Sequence, residues 1–217
     1  MSNNLPEEVL KILVYQCVLG IEYLHAMDIS HRDIKPENLF MFEDGYIKIG
    51  DFGFAKIVTD RTNTACVSTS YMAPEVIAKL GYRKGVDWWS LGILIYCSIY
   101  HRHPFVDFGV TRNELIRAIM AKPVTFPSVV YKNSAVNGLL EGLLQKKPAQ
   151  RLGMMQGGTD EVKTHEWFGN INFLDILHKR IPLTPTQMKV IAEPCDTSMI
   201  FPTEGEEDYH PELFKDF

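Results

Sequence analysis

Most of the chemistry available to this sequence lies in eight consecutive residues. His31-Arg32-Asp33-Ile34-Lys35-Pro36-Glu37-Asn38 gathers two acids, two cations, an imidazole and an amide into one short stretch. Asp51-Phe52-Gly53 follows shortly after, and Ala73-Pro74-Glu75 comes later in the chain. The carboxylates of Asp33 and Asp51 and the amide oxygen of Asn38 are hard oxygen donors. Magnesium prefers such donors when it also keeps substrate phosphates as ligands. Lys35 stands two positions after Asp33, so in an extended loop the two side chains share a face. Two acids, an amide and a lysine suit phosphoryl transfer, in which positioning and charge neutralisation do most of the work. Taken singly, each residue is ordinary for a solvated polar loop. The combination and its order make the pattern informative.

The elements around these residues follow from periodicity. Leu10, Leu13, Val14, Cys17, Ile21 and Leu24 recur at helical spacing and predict a helix ending near Met27. Asn4 and Glu7 have capping-box spacing at its start, and Pro6 is tolerated in a first turn. Short strands are expected at 39–42 and 46–49 around an Asp44-Gly45 turn. Residues 51–75 show no period and read as a long surface loop. The stretch 86–100 is apolar almost all round, which predicts a helix buried in the middle of a domain. Further helices are expected at 112–120, 134–144 and 159–165. Beyond Ile181, Pro182, Pro185, Pro194, Pro202 and Pro211 argue for an extended tail without a long element. The acidic run at 204–208 reads as solvated, Cys66 as an ordinary thiol, and His101 and His103 as loop surface.

Composition bounds the rest. The chain has 217 residues, 46% of them hydrophobic, with 22 Lys and Arg against 27 Asp and Glu, a net charge of −5. That apolar content argues against a disordered chain. The acidic balance argues against a nucleic-acid partner. The longest apolar run, within 91–100, is too short to span a bilayer, and Met1-Ser2-Asn3-Asn4 has no signal-peptide character. Cys17, Cys66, Cys97 and Cys195 form no CxxC and suit reduced thiols of the cytoplasm or nucleus.

With its motifs in this order, the chain resembles the C-terminal, large lobe of a eukaryotic protein kinase. The runs DFGFAK at 51–56, VDWWS at 86–90 and KTHEWF at 163–168 are similar to the AGC group. So are Asp196-Thr197-Ser198 and the Phe-Lys-Asp-Phe ending, and the cyclic-nucleotide-dependent Ser/Thr kinases are the closest in character. The resemblance implies a mainly α fold, a kinase-like large lobe with short β hairpins. It implies a kinase region at 1–168 and an AGC-type tail at 169–217. No Gly-rich phosphate loop or VAIK-type lysine occurs in the sequence, so the small lobe is expected to be absent from this chain.

Carried over by position, the resemblance makes Asp33 the group that orients the substrate hydroxyl and takes its proton. Lys35 would neutralise the transferring phosphate, and Asn38 and Asp51 would hold magnesium. Glu37, Asn38, Phe40 and Asp51 would line the nucleotide site, and Glu37 and Ser68 would face the protein substrate. Thr64 would be an activation-loop phosphosite whose phosphate meets Arg32 and Lys56. Glu75 would pair with Arg151, and Asp87 would accept backbone hydrogen bonds under the catalytic loop. His31 and Phe52 would be packing residues. ATP and magnesium are the implied cofactors. Protein substrates, a regulatory subunit or domain and an upstream activating kinase are the implied partners.

Departures from the family pattern concern specificity and self-sufficiency. Ser70 and Cys97 stand where similar kinases carry acids that receive substrate arginines, which implies milder basic selectivity. Val67 replaces a flexible glycine. Phe40 replaces a leucine in the adenine floor and Gly50 a larger residue beside it, volumes that offset one another. Without a small lobe, ATP would lie on an open surface and Phe214 and Phe217 would have no groove. The competing reading is therefore a catalytically inactive docking module.

Overall fold

The computed structural model describes residues 5–57, 69–81, 83–127, 134–181 and 183–192. Its first helix, α1 (Glu7–Ala26), buries the predicted stripe of Leu10, Leu13, Val14, Cys17, Ile21 and Leu24. The start differs from expectation. Pro6 is the N-cap and makes no side-chain cap, while Asn4 lies outside the described residues. Glu7 is used over a longer range, accepting the Trp167 indole N–H at 3.0 Å. Among the described residues α1, rather than the 91–100 run, is the helix long and apolar enough to cross a membrane. Its apolar residues are packed into the protein core, which accounts for its composition.

Two small antiparallel sheets follow. β1 (Ile29–Ser30) pairs with β4 (Lys56–Ile57), opposing Ile29 to Ile57 and Ser30 to Lys56. β2 (Leu39–Met41) and β3 (Ile47–Ile49) form the expected hairpin, with Phe40 opposite Lys48. The Gly45 amide closes its turn on the Phe42 carbonyl at 2.9 Å. The 51–75 stretch holds more order than its lack of period suggests. It contains β4, 3-10 turns at Phe52–Phe54 and Thr69–Tyr71, and the start of the short helix α2 (Pro74–Ile77).

Helix α3 (Gly85–Tyr100) is the central shaft, with every side chain except Ser98 buried. One side, with Trp88, Leu91, Ile95 and Tyr96, joins the cluster shared with α1. The other, with Trp89, Ile93, Leu94 and Cys97, joins a second cluster. That second cluster takes Leu115, Ile116 and Ile119 from α4 (Arg112–Ala121), which opens with a complete Thr111–Glu114 capping box. Helix α5 (Ser134–Leu143) crosses α3 closely at Gly92, where a Cβ would come within 2.9 Å of the Leu144 side chain.

Helices α6 (Thr159–Lys163) and α7 (Phe173–Leu177) complete the face against α1. The tail after Ile181 is not wholly extended, for α8 (Pro185–Ala192) forms there. Pro185 occupies its first position, where a missing N–H costs nothing. The Thr184 hydroxyl accepts the Gln187 amide at 3.3 Å, and Gln187 Oε1 accepts the Thr184 amide at 2.7 Å, a local cap that the proline count obscured.

Candidate active site

The chain leaves β1 into the 31–38 loop, and one side chain of α3 shapes that loop. Asp87 Oδ2 accepts the Ser30 hydroxyl at 3.0 Å and the His31 amide at 3.0 Å. Its Oδ1 accepts the Arg32 amide at 2.7 Å. His25 Nε2, on the last turn of α1, lies 2.8 Å from Oδ2. A fully buried carboxylate is tolerated because several donors compensate its lost hydration. The loop is thereby turned sharply enough that Arg32 takes a left-handed conformation, φ 71°. Such backbone strain persists only where surrounding contacts enforce it.

Asp33, Lys35 and Asn38 come together at the end of this loop. Lys35 Nζ sits 2.8 Å from Asp33 Oδ2. The Asn38 amide group donates both to that oxygen and to the Asp33 carbonyl, each at 2.8 Å. Asp33 Oδ1 is buried with no hydrogen-bond partner among the described residues. One edge of the carboxylate is thus fixed and the other is left as a desolvated acceptor, a costly arrangement for a purely structural group.

Asp51 reaches the same loop through residue 50. The Gly50 amide donates to the Asn38 carbonyl at 2.9 Å, and the Gly50 carbonyl accepts His31 Nε2 at 2.9 Å. Because a carbonyl only accepts, His31 carries its proton on Nε2. Its Nδ1 then accepts the Asp33 amide at 3.4 Å. Asp51 is exposed, left-handed at φ 56°, and its Oδ1 caps the Gly53 amide at 3.2 Å.

The other predicted residues fall into place unevenly. Phe40 is half exposed, and its ring covers Gly50 so closely that a Cβ there would stand 2.7 Å from Phe40 Cε2. Glu37 is exposed. Arg32 is buried and its Nε donates to the Phe54 carbonyl, while Lys56 is exposed on β4. Thr64 and Ser68 lie outside the described residues. Glu75 and Arg151 form a buried bidentate pair, at 2.6 and 2.9 Å. The remaining Arg151 donors reach the carbonyls of Gly85 and Gln145, so all five N–H groups are used.

Three placements differ from expectation or were missed. Phe52 is not core: it is 51% exposed, with one edge against the buried His31 ring at 5.0 Å between centroids. His103 is not loop surface. It is 1% exposed, donates from Nε2 to the Ser70 carbonyl at 3.1 Å and accepts the Phe105 amide on Nδ1 at 3.3 Å. Burial pushes its imidazole down to about 4. His25 was overlooked as a supporting group, though its place on the last turn of the first helix, just before the motif, was a usable signal. Nearby, Cys97 is buried and its thiol pushed up by that burial. The Tyr71 phenol is likewise raised, chiefly by burial and then by Cys97, Glu37 and Asp33 beside it.

The donor set fits magnesium and phosphate. Asn38 spends its amide protons on Asp33, leaving its amide oxygen as a donor, and Asp51 adds an exposed carboxylate near by. Among the described residues no group of three His, Cys, Asp or Glu side chains could hold a metal by itself. Substrate oxygens would complete the shell, as is usual for this ion.

The buried shaft α3 thus carries, through Asp87, the loop on which Asp33, Lys35 and Asn38 meet. Residues 1–168 match the protein kinase domain family, and the chain belongs to that family. Its relatives include a "cAMP-dependent protein kinase, catalytic subunit-like" protein of Caenorhabditis elegans, 42% identical over 85% of this chain and 46% of the relative. Another is the cAMP-dependent protein kinase type 3 of Saccharomyces cerevisiae, 36% identical over 100% of this chain and 55% of the relative. The human cAMP-dependent protein kinase catalytic subunit PRKX is 38% identical over 93% of this chain and 57% of the relative. The chain thus spans about half the length of the curated relatives it matches.

Proposed function

We propose that this chain supplies the large, mainly helical lobe of an AGC-group Ser/Thr protein kinase, which transfers the ATP γ-phosphate to hydroxyls of protein substrates. In this reading residues 1–168 belong to the kinase domain and 169–217 to its tail. The observation that carries the reading is the state of Asp33. One oxygen is gripped by Lys35 and Asn38, and the other is a buried acceptor without a partner among the described residues.

Asp33 Oδ1 is the acceptor for the substrate hydroxyl, orienting its oxygen and receiving its proton as the new O–P bond forms and the bond from the γ-phosphorus to the β–γ bridging oxygen breaks, releasing ADP. Lys35, already paired with that carboxylate, offers its ammonium to the transferring phosphoryl group. Asn38 and Asp51 would hold magnesium, which when bound would neutralise charge on the phosphates. Phe40 over Gly50 forms part of the floor under the base. His25 and Asp87 act through the backbone, keeping Ser30, His31 and Arg32 where Asp33 needs them. Glu37 and Ser68 face the protein substrate. A phosphate on Thr64 would be read by Arg32 and Lys56; Lys56 pairs with Ser30, two residues before Arg32. The relatives are named as cAMP-dependent. Control by a cyclic-nucleotide-regulated subunit or domain, and by an upstream kinase, belongs to the same proposal, as does a cytoplasmic or nuclear location.

A second reading has its own support. Asp51, Phe52 and Phe40 are all exposed among the described residues, so the nucleotide face is open to water. Phosphoryl transfer loses positioning and electrostatic strength in such a setting. The 217-residue chain alone is therefore expected to bind partners and turn over far below ordinary kinase rates. Magnesium-ATP titration with a phosphotransfer assay tests both readings. In a complete kinase carrying this lobe, Asp33→Asn should cut turnover about 10²- to 10⁴-fold with little change in KM for ATP. Undiminished turnover would remove Asp33 from its role.

A further inference from the structure

We propose that His103 staples the Thr69–Tyr71 turn in place and so positions the surface that receives the protein substrate, a role that rests on the kinase function proposed above. The staple consists of two hydrogen bonds from one buried imidazole. Nδ1 accepts the Phe105 amide at 3.3 Å, and Nε2–H donates to the Ser70 carbonyl at 3.1 Å. The first bond is local and fixes the loop after α3. The second crosses to the 3-10 turn at Thr69–Tyr71 and ties it to that loop. The chain uses the same device inside the site itself. His31 accepts the Asp33 amide on Nδ1 at 3.4 Å and donates from Nε2 to the carbonyl of Gly50, the residue before Asp51, at 2.9 Å. His165 makes the local bond too, with the Trp167 amide at 3.3 Å, but from a partly exposed position. A local cap therefore does not require a buried histidine. His31 and His103 are buried, and both also join two separate segments.

The stapled turn adjoins the site. The Tyr71 phenol stands beside Glu37 and Asp33. Ser68, expected to face the substrate, directly precedes the turn. On α3, the Ser90 hydroxyl donates to the Tyr71 carbonyl at 3.1 Å. Two consecutive carbonyls of the turn, those of Ser70 and Tyr71, are thus held by α3 and the loop that follows it. A turn fixed through its backbone presents its side chains to an incoming chain without first having to be ordered, which lowers the cost of binding.

Substitutions at 103 separate the two bonds. An asparagine oxygen accepts an amide two residues on, as Asn172 accepts the Leu174 amide at 3.0 Å, but the shorter side chain falls short of Ser70. Glutamine keeps a donor for Ser70. Amide hydrogen exchange of the 217-residue chain reads the staple at Met72, whose amide closes the turn on the Thr69 carbonyl at 3.2 Å. Exchange there should be about tenfold faster in His103→Asn than in the parent, with His103→Gln close to the parent and α1 unchanged in all three. His103→Ser, whose hydroxyl can cap the same amide, is the second variant without the staple should His103→Asn not fold. In a complete kinase carrying this lobe, with dephosphorylated casein as substrate, His103→Asn should raise KM for casein about five- to tenfold and leave KM for ATP within about twofold. His103→Gln should restore most of the difference. Unchanged exchange at Met72 overturns the proposal, and so does faster exchange with an unchanged KM for casein. A parent without phosphotransfer to casein refutes the kinase function itself and the substrate role with it, whatever Met72 shows.

Discussion

His103 couples protonation to stability in a way that can be measured. Its two nitrogens are both committed, Nε2–H to the Ser70 carbonyl and Nδ1 to the Phe105 amide. A second proton would have to displace the Phe105 amide and place a charge among Trp89, Phe105 and the nearby Lys146 ammonium. Burial is the largest cause of the depression from 6.5 to about 4, Lys146 adds to it and the Ser70 bond opposes it. The unfolded chain therefore binds a proton at this position over a pH range in which the folded chain does not. Stability from this site is fully present above pH 6.5 and is lost as pH falls through that window toward 4. The whole interval corresponds to about 3 kcal/mol, and the drop from pH 7 to pH 5 to about 2 kcal/mol. Urea unfolding of the parent and of His103→Gln, at half-unit steps from pH 7 to 5, compares the two directly, starting where Lys146, which burial pushes down to about 7, begins to carry its full charge. Glutamine keeps a donor for Ser70 and does not titrate. The parent should lose about 2 kcal/mol relative to the variant on acidification. A constant difference between the two across that range would refute the burial-driven depression.

Two further predictions follow from the packing. Replacing Glu75 by Ala leaves the Arg151 guanidinium buried against uncharged neighbours and should cost about 3–5 kcal/mol by chemical denaturation. Arg151→Met in the same background should recover part of that loss, because no uncompensated charge remains. At the hairpin, Gly50→Ala should drive the Phe40 ring off its seat, while Gly50→Ala with Phe40→Leu restores the fit, since the added Cβ would meet Phe40 at 2.7 Å. Nucleotide affinity in a complete kinase carrying this lobe should fall in the single variant and recover in the double. Recovery by Phe40→Leu alone, at no cost in affinity, would show that the two volumes are independent.

What could be read from the sequence was local, and what could not was long-range. Helices α1 and α3 announce themselves because their apolar residues recur over many turns. The β2–β3 hairpin does so through Asp44-Gly45 between two short apolar runs. Asp33, Lys35 and Asn38 were legible as a set because they lie within one loop and meet there. Helix α8 was hidden by counting prolines without asking where in a helix each would fall. Phe52 and His103 were misplaced for a shared reason. Exposure depends on which distant segment arrives to cover a side chain, and neither the hydrophobicity of Phe52 nor the polarity of His103 reports that. His103 is covered because Ser70 and Phe105 satisfy both ring nitrogens, a fact about residues on two separate loops.

The same distinction separates two kinds of dependence in the site. Asp87 sits on a helix buried over nearly its whole length and holds the end of β1 and the first two residues of the loop, so a change there disturbs core and site together. Lys35 touches Asp33 from a partly exposed position, and its loss removes one charge without uncovering apolar surface. Asp87→Asn should therefore lower stability and activity jointly, because an amide cannot accept at both ends as the carboxylate does. Lys35→Met should lower activity with little loss of stability. A loop tied to such a buried shaft, with Asp33 gripped by Lys35 and Asn38, has its charged groups set before any substrate arrives. That is the arrangement phosphoryl transfer requires, since the barrier is lowered by charges already in place rather than by groups that must first be gathered.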